Sequence, residues 1–198
     1  MEKETIIRCF NDWAENWDAK QLIDAEKINR ILDAAGVAAG DRVLDIACGT
    51  GVLTPFLLER GAASVLGVDI AEKMCRLARQ KFSKEARVSF LCADAETVQL
   101  PQQFDCCLIF NAFPHFTDRE ALLWNLRQAL VAGGRLTIAH DRGRAALDRH
   151  HMQVRGISSP LLPAEELKAL LLECGYVEGS AMENEEIYIV TARNGGSL

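Results

Sequence analysis

Two carboxylates, Asp45 and Asp69, bracket a run of small residues, Ala47-Cys48-Gly49-Thr50-Gly51. A ligand can approach such a run closely, because glycine has no Cβ and adopts backbone conformations that cost other residues strain. Asp69 closes an apolar run, Ser64 to Val68, and a carboxylate at such a strand end can accept hydrogen bonds from a ribose diol. Asp45 lies in the end of the preceding apolar run, Val43 to Ile46, beside the small-residue turn. A carboxylate there would repel a pyrophosphate and favour an ammonium group or a ribose. The dinucleotide spacing G-x-G-x-x-G is also broken, since Gly49-Thr50-Gly51-Val52-Leu53-Thr54 lacks the third glycine. These residues predict a nucleotide-like ligand that carries positive charge and no phosphates.

The elements that must position them follow from the pattern around the turn. Val43 to Ile46 has the length of a buried strand, Val52 to Arg60 reads as a helix punctuated by Gly61, and Ser64 to Val68 reads as a second strand. A strand, glycine turn, helix, strand and acid form the layout of a nucleotide-type site, with the helix N-terminus offering free N–H groups. At these residues the chain resembles the class I S-adenosylmethionine-dependent methyltransferases. LDIACGTG (Leu44–Gly51) is similar to their first motif, and VDI (Val68–Ile70) to the acidic residue that follows it. The resemblance covers about residues 40 to 192. It includes Leu100-Pro101 and Phe104-Asp105 before a strand, and Ala132-Gly133-Gly134, where the family usually has Pro-Gly-Gly.

The resemblance implies an α/β fold: a seven-stranded doubly wound sheet, mostly parallel with the last strand antiparallel, and helices on both faces. It implies S-adenosyl-L-methionine as cofactor, held by Asp45, Ala47, Gly49, Gly51, Asp69, Ile70, Asp94, Ala95 and Asn111. Asp94, just past a third strand, would accept the exocyclic amine of adenine, and Ala95 would offer a backbone N–H to a ring nitrogen. The reaction implied is methyl transfer to a small molecule, because no added domain grips a macromolecule.

The remaining chain divides around this unit. Residues 1–36 read as a helical cap, with Ala25, Ile28, Leu32 and Ala35 at helical spacing and Gly36 suited to the helix end; residues 37–198 form the catalytic domain. Trp13 and Trp17 stand four apart in a polar stretch, so on one helix they share a face. They are either a staple to the domain or a lid over cofactor or substrate. Further helices are expected over 71–82, from a cap at Asp118 to Val131, and from Pro163 to before Gly175. Strands are expected at 87–91, 106–110 and 136–139, with an antiparallel pair at 176–181 and 186–192. Cys106 and Cys107 should face opposite sides of their strand as small core residues.

Ligands of open α/β sheets bind beyond the carboxyl ends of the strands, so residues 111–116 and 140 onward remain for the acceptor. All four histidines fall there: His115, His140, His150 and His151. Three roles stay open. His115 or His140 acts as a general base, suited by a pKa near neutrality; His140, His150, His151 and Asp141 hold a metal; or the segment is a polar lid without chemistry. Arg142, Arg144, Arg149 and Arg155 make this stretch basic in an acidic protein, and guanidinium groups suit an anionic acceptor.

Composition narrows the field. The chain has 198 residues, 49% hydrophobic and 25% charged, with net charge −6. Such acidity argues against nucleic-acid binding. No apolar run approaches the ~20 residues of a membrane helix, and the N-terminus lacks a signal-peptide pattern. The expected location is cytoplasmic, and the seven cysteines, with no CxxC pair, are expected as free thiols. Two rivals remain: a non-catalytic S-adenosylmethionine-binding partner or regulator, and a nicotinamide oxidoreductase, against which the missing glycine speaks.

Overall fold

The computed structural model describes residues 2–147 and 159–196. Five apolar runs become parallel strands because both their faces are covered: β1 (Arg42–Ile46), β2 (Ser64–Asp69), β3 (Val88–Cys92), β4 (Phe104–Phe110) and β5 (Leu130–His140). β6 (Tyr176–Glu183) and β7 (Tyr188–Asn194) complete a seven-stranded sheet of order β3-β2-β1-β4-β5-β7-β6. β7 runs antiparallel to both β5 and β6. The order reverses at β1 and β4, which pair in parallel, and this switch point is where open α/β sheets bind ligands.

Helices cover both faces. α3 (Ala25–Ala35) and α4 (Thr54–Glu59) bury Ile28, Leu32 and Leu57 against Val43, Val65, Cys106 and Leu108. On the other face, α6 (Arg119–Ala129) and α7 (Ala164–Glu173) bury Leu122, Leu126, Leu167 and Leu171 against Leu44, Ile46, Cys107 and Ile109. The neighbouring cysteines do belong to opposite layers. Asp24 caps α3 by accepting from the Lys27 N–H at 3.1 Å, and Gly36 ends it at φ 63°. Asp118 caps α6 by accepting from the Ala121 N–H at 3.0 Å.

Several boundaries shift by a few residues from the sequence expectation, and two of the shifts have a visible cause. The helix after the glycine turn begins at Thr54 rather than Val52, because residues 50–53 are still turning. Ala132-Gly133-Gly134 is not a turn before a short strand but an irregularity inside β5. Phe104 pairs with Leu130 and Cys106 with Arg135, and Gly133, at φ 75°, absorbs the extra residues.

The N-terminal residues form α1 (Lys3–Trp13), a 3-10 turn (Ala14–Asn16) and α2 (Trp17–Lys20). They lie over α5 (Glu72–Lys81), with Phe10, Ala14 and Trp17 packed on Ala71, Met74 and Leu77. Polar ties reinforce this. The Asn11 Oδ1 accepts from the Lys73 N–H at 2.8 Å, Glu15 meets Arg76 at 2.5 Å, Asp18 meets Lys81 at 2.5 Å, and the Thr50 hydroxyl donates to Asp18. Among the described residues no helix is long and apolar enough to cross a membrane.

Candidate functional site

A cavity opens at the carboxyl ends of β1 to β4, roofed by the N-terminal segment. The chain reaches it by turning sharply after β1. Ala47 and Gly49 take left-handed conformations at φ 54° and 56°. For alanine that conformation is a strained one, kept where surrounding structure enforces it. Both residues line the cavity. Gly51, also left-handed at φ 83°, does not. A Cβ there would stand 2.7 Å from the Phe82 ring, so Gly51 makes room for packing behind the turn.

Asp69 braces this turn. Its Oδ2 accepts from the Gly49 N–H and its Oδ1 from the Ala71 N–H, both at 2.8 Å. Burial raises its pKa, and the N–H donors of Ala71, Gly49 and Ile70 oppose that rise without cancelling it. Asp45, 2% exposed, also lines the cavity, and its Oδ2 has no hydrogen-bond partner among the described residues. Burial first, and the Asp69 charge second, push its pKa from 3.8 up to about 8. Ile70, Asp94, Ala95 and Asn111 complete the lining at the ends of β2, β3 and β4.

Asp94 does not face the cavity alone. Its Oδ1 accepts from the Glu96 N–H at 3.0 Å, and its Oδ2 receives the Lys3 ammonium at 2.6 Å. The same ammonium donates to Glu96 Oε2 at 2.5 Å. Glu96 is 7% exposed and also accepts from the Thr117 N–H at 2.7 Å, the Thr117 hydroxyl, and the Asp118 N–H at 3.2 Å. Burial works to raise its pKa, but Lys3 and the Thr117 and Asp118 donors hold it below the ordinary carboxylate value.

Aromatic side chains line the cavity alongside these carboxylates. His115, in the 3-10 turn Phe113–His115 after β4, lines it together with Phe116. The Phe10 ring stands 5.1 Å from His115 and 5.7 Å from Trp17, both edge-on. The Trp17 indole N–H edge lies over Gly49. Trp13 does not share this position. The 3-10 turn separates the two tryptophans, leaving Trp13 36% exposed and edge-on to Phe10 outside the lining.

His140 is a departure from expectation. It ends β5, but strand alternation sends Ala139 toward the α3 layer with Ile31 and turns His140 the other way. It is 1% exposed, 5.9 Å and edge-on from Tyr188, and it does not line the cavity. Asp141 donates its N–H to Asn111 Oδ1 at 3.1 Å. His150, His151, Arg149 and Arg155 lie outside the described residues. Among the described residues no group of three or more His, Cys, Asp or Glu is placed to hold a metal. Arg144 is paired with Glu183 at 2.8 Å, Arg142 is exposed, and the seven cysteines are free thiols.

Sequence reasoning missed Lys3, Ile6, Phe10 and Glu96. The first three fall at i, i+3 and i+7, one face of α1, and all line the cavity. That spacing was the available signal. Glu96 had none beyond its place two residues after Asp94.

Residues 43–134 match the family model described as a methyltransferase domain. The chain is 32% identical over 142 residues to the malonyl-[acyl-carrier protein] O-methyltransferase of Acetivibrio thermocellus, covering 70% of this chain and 50% of that protein. It is 32% identical over 151 residues to the ubiquinone/menaquinone biosynthesis C-methyltransferase UbiE of Yersinia enterocolitica, covering 69% and 59%. The chain thus aligns with only about half to three fifths of these curated relatives. Its fold matches the methyltransferase solved with the Trm112 activator of Haloferax volcanii, at TM-score 0.78 and 18% identity over 93% of this chain and 97% of that one. A SAM-dependent methyltransferase of Aquifex aeolicus gives 0.71 and 20% over 98% and 99%. With the motif residues gathered on one cavity, the fold is that of the S-adenosylmethionine-dependent methyltransferases, and residues 43–134 match a methyltransferase domain.

Proposed function

We propose that this chain transfers the methyl group of S-adenosylmethionine to a small-molecule acceptor, with residues 37–198 as the catalytic domain and residues 1–36 as its cap. The observation that carries the reading is one cavity lined both by the Asp45, Asp69 and Asp94 carboxylates and by Phe10, Trp17, His115 and Phe116. The cofactor fits the residues present. Asp45 has a buried carboxylate oxygen without a partner, which suits an ammonium group, and Asp69 keeps unused lone pairs for a ribose diol. Asp94 and Ala95, past the end of β3, are the residues we assign to the adenine.

When bound, the cofactor supplies a methyl group already activated on a sulfonium. The chain therefore has to position the acceptor, exclude water and, where the acceptor carries a proton, remove it. Phe10, Trp17 and Phe116 provide the surfaces for the first two tasks. His115 is the titratable group beside these rings and the residue we assign to the proton. Among the described residues the lining holds one cation, Lys3, and two carboxylates already engage it. This supports an acceptor held by aromatic surface rather than by its negative charge. The two curated relatives are named for transfer to oxygen and to carbon, so they leave the acceptor atom open.

The test is methyl transfer from isotopically labelled S-adenosylmethionine across a panel of small aromatic and aliphatic acceptors, followed as labelled product and S-adenosylhomocysteine. Turnover on one class that collapses in His115→Ala supports the reading. Tight cofactor binding with no transfer across the panel would favour the non-catalytic binding protein instead.

A further inference from the structure

The cap and the acceptor loop are joined by a connection that the proposed reaction does not by itself require. Lys3 opens α1, and Phe10 lies two turns further along the same helix face. Phe10 packs edge-on against His115. Lys3 reaches the buried Glu96, whose Oε1 accepts the backbone N–H groups of Thr117 and Asp118. The segment between these contacts, residues 113–118, carries both His115 and Phe116. Thus α1 grips the acceptor loop at two points, by ring contact at one end and through a shared carboxylate at the other.

We propose that Glu96 is a positioning residue that couples closure of the N-terminal cap to placement of the His115–Phe116 loop, with Lys3 as the latch. This rests on the methyltransferase reading only for the purpose of the coupling. The geometry itself involves no ligand.

The physical argument is one of shared anchorage. Glu96 has two oxygens and four partner groups on two separate parts of the chain: the Lys3 ammonium on one, and the Thr117 N–H and hydroxyl and the Asp118 N–H on the other. A buried carboxylate without its cation is strongly disfavoured. Removing Lys3 therefore forces Glu96 toward water or toward protonation, and either change weakens its hold on the Thr117 and Asp118 backbone. A cap that opens releases the loop, and a cap that closes fixes it. Asp94 shares the same ammonium, so the latch sits against the position assigned to adenine. Cap, cofactor end and acceptor loop meet at these two carboxylates.

Hydrogen exchange by NMR tests this directly, because the Thr117 and Asp118 amides are the coupled groups. Lys3 is partly exposed near the chain end, so Lys3→Met is expected to fold. The expected result is exchange at Thr117 and Asp118 faster by about threefold or more, as loss of a partly exposed ion pair allows. β1 amides stay unchanged, and Lys3→Arg restores protection. Glu96→Gln, which keeps an acceptor oxygen and loses the charge, should release α1 in turn. In the wild type, S-adenosylhomocysteine should slow exchange at both amides, and in Lys3→Met it should do so less. Faster exchange confined to α1, with Thr117 and Asp118 unaltered, would overturn the proposal. If the wild type fails to bind S-adenosylhomocysteine but Lys3→Met still loosens Thr117, the coupling stands and the cofactor assignment falls.

Discussion

Binding of S-adenosylhomocysteine should expel a proton from Asp45 at neutral pH. Asp45 is buried beside Asp69, and its pKa of about 8 leaves it about 0.9 protonated at pH 7. A ligand ammonium about 4 Å away, at an effective dielectric of ~20, favours the carboxylate by about 4 kcal/mol. That lowers the Asp45 pKa by about three, to near 5, so release should approach about 0.9 proton per ligand at pH 7. Calorimetric titrations in phosphate and in Tris, whose ionisation enthalpies differ, give this number from the slope of observed heat. Asp45→Asn removes the titrating group and should bring the slope close to zero. No proton exchange in the wild type, or full release persisting in Asp45→Asn, would refute the reasoning. The same carboxyl has a consequence for the free protein. Its folded pKa lies above its unfolded 3.8, so the neutral form belongs to the native state. Stability from this group is present at low pH and is lost as pH rises from about 4 to about 8. Thermal melts of Asp45→Asn should therefore fall less steeply over that interval than those of the wild type.

Asp69→Asn should weaken S-adenosylhomocysteine binding by about tenfold or more in the same titration, since it disturbs both the ribose acceptor and a charged hydrogen bond to the glycine turn; unchanged affinity would sink the ribose assignment. His115→Ala should lower transfer by about a hundredfold or more while S-adenosylhomocysteine affinity stays within about threefold, if His115 takes the acceptor's proton. Equal loss in both would make it a binding residue. Gly67→Ala should cost about 1–3 kcal/mol in a denaturant melt, because a Cβ there would stand 2.6 Å from the Phe90 ring and 2.8 Å from the Cys48 sulfur.

The strands and the glycine turn were legible because each is short-range. In β1, β2 and β3, apolar runs of five or six residues, a turn of small residues and an acid at or near the strand end are written in close succession. Asp45, Gly49, Asp69 and Asp94 reach one cavity for that reason. His140 misled because the strand end predicts its height on the sheet but not its side. One residue of alternation decides between the cavity and the α6 layer, and Tyr188, from a strand 48 positions later, occupies that side. Gly51 was read as room for a ligand, whereas Phe82 fills its space from the far end of α5. The cap was the least legible part. Trp13 and Trp17 drew attention by residue type, but the break at Ala14–Asn16 separates them. The face that meets the cavity is Lys3, Ile6 and Phe10. Glu96 had no local signature at all, since its partners lie 93 residues before it and 21 after.

The central claim is that this cavity is the S-adenosylmethionine site. Its most direct test is calorimetric titration of the wild-type protein with S-adenosylhomocysteine, paired with Asp69→Asn. Saturable one-to-one binding in the micromolar range, weakened by about tenfold or more in the variant, is the predicted result. No binding by a wild-type protein that melts cooperatively, or equal binding by both proteins, would contradict it.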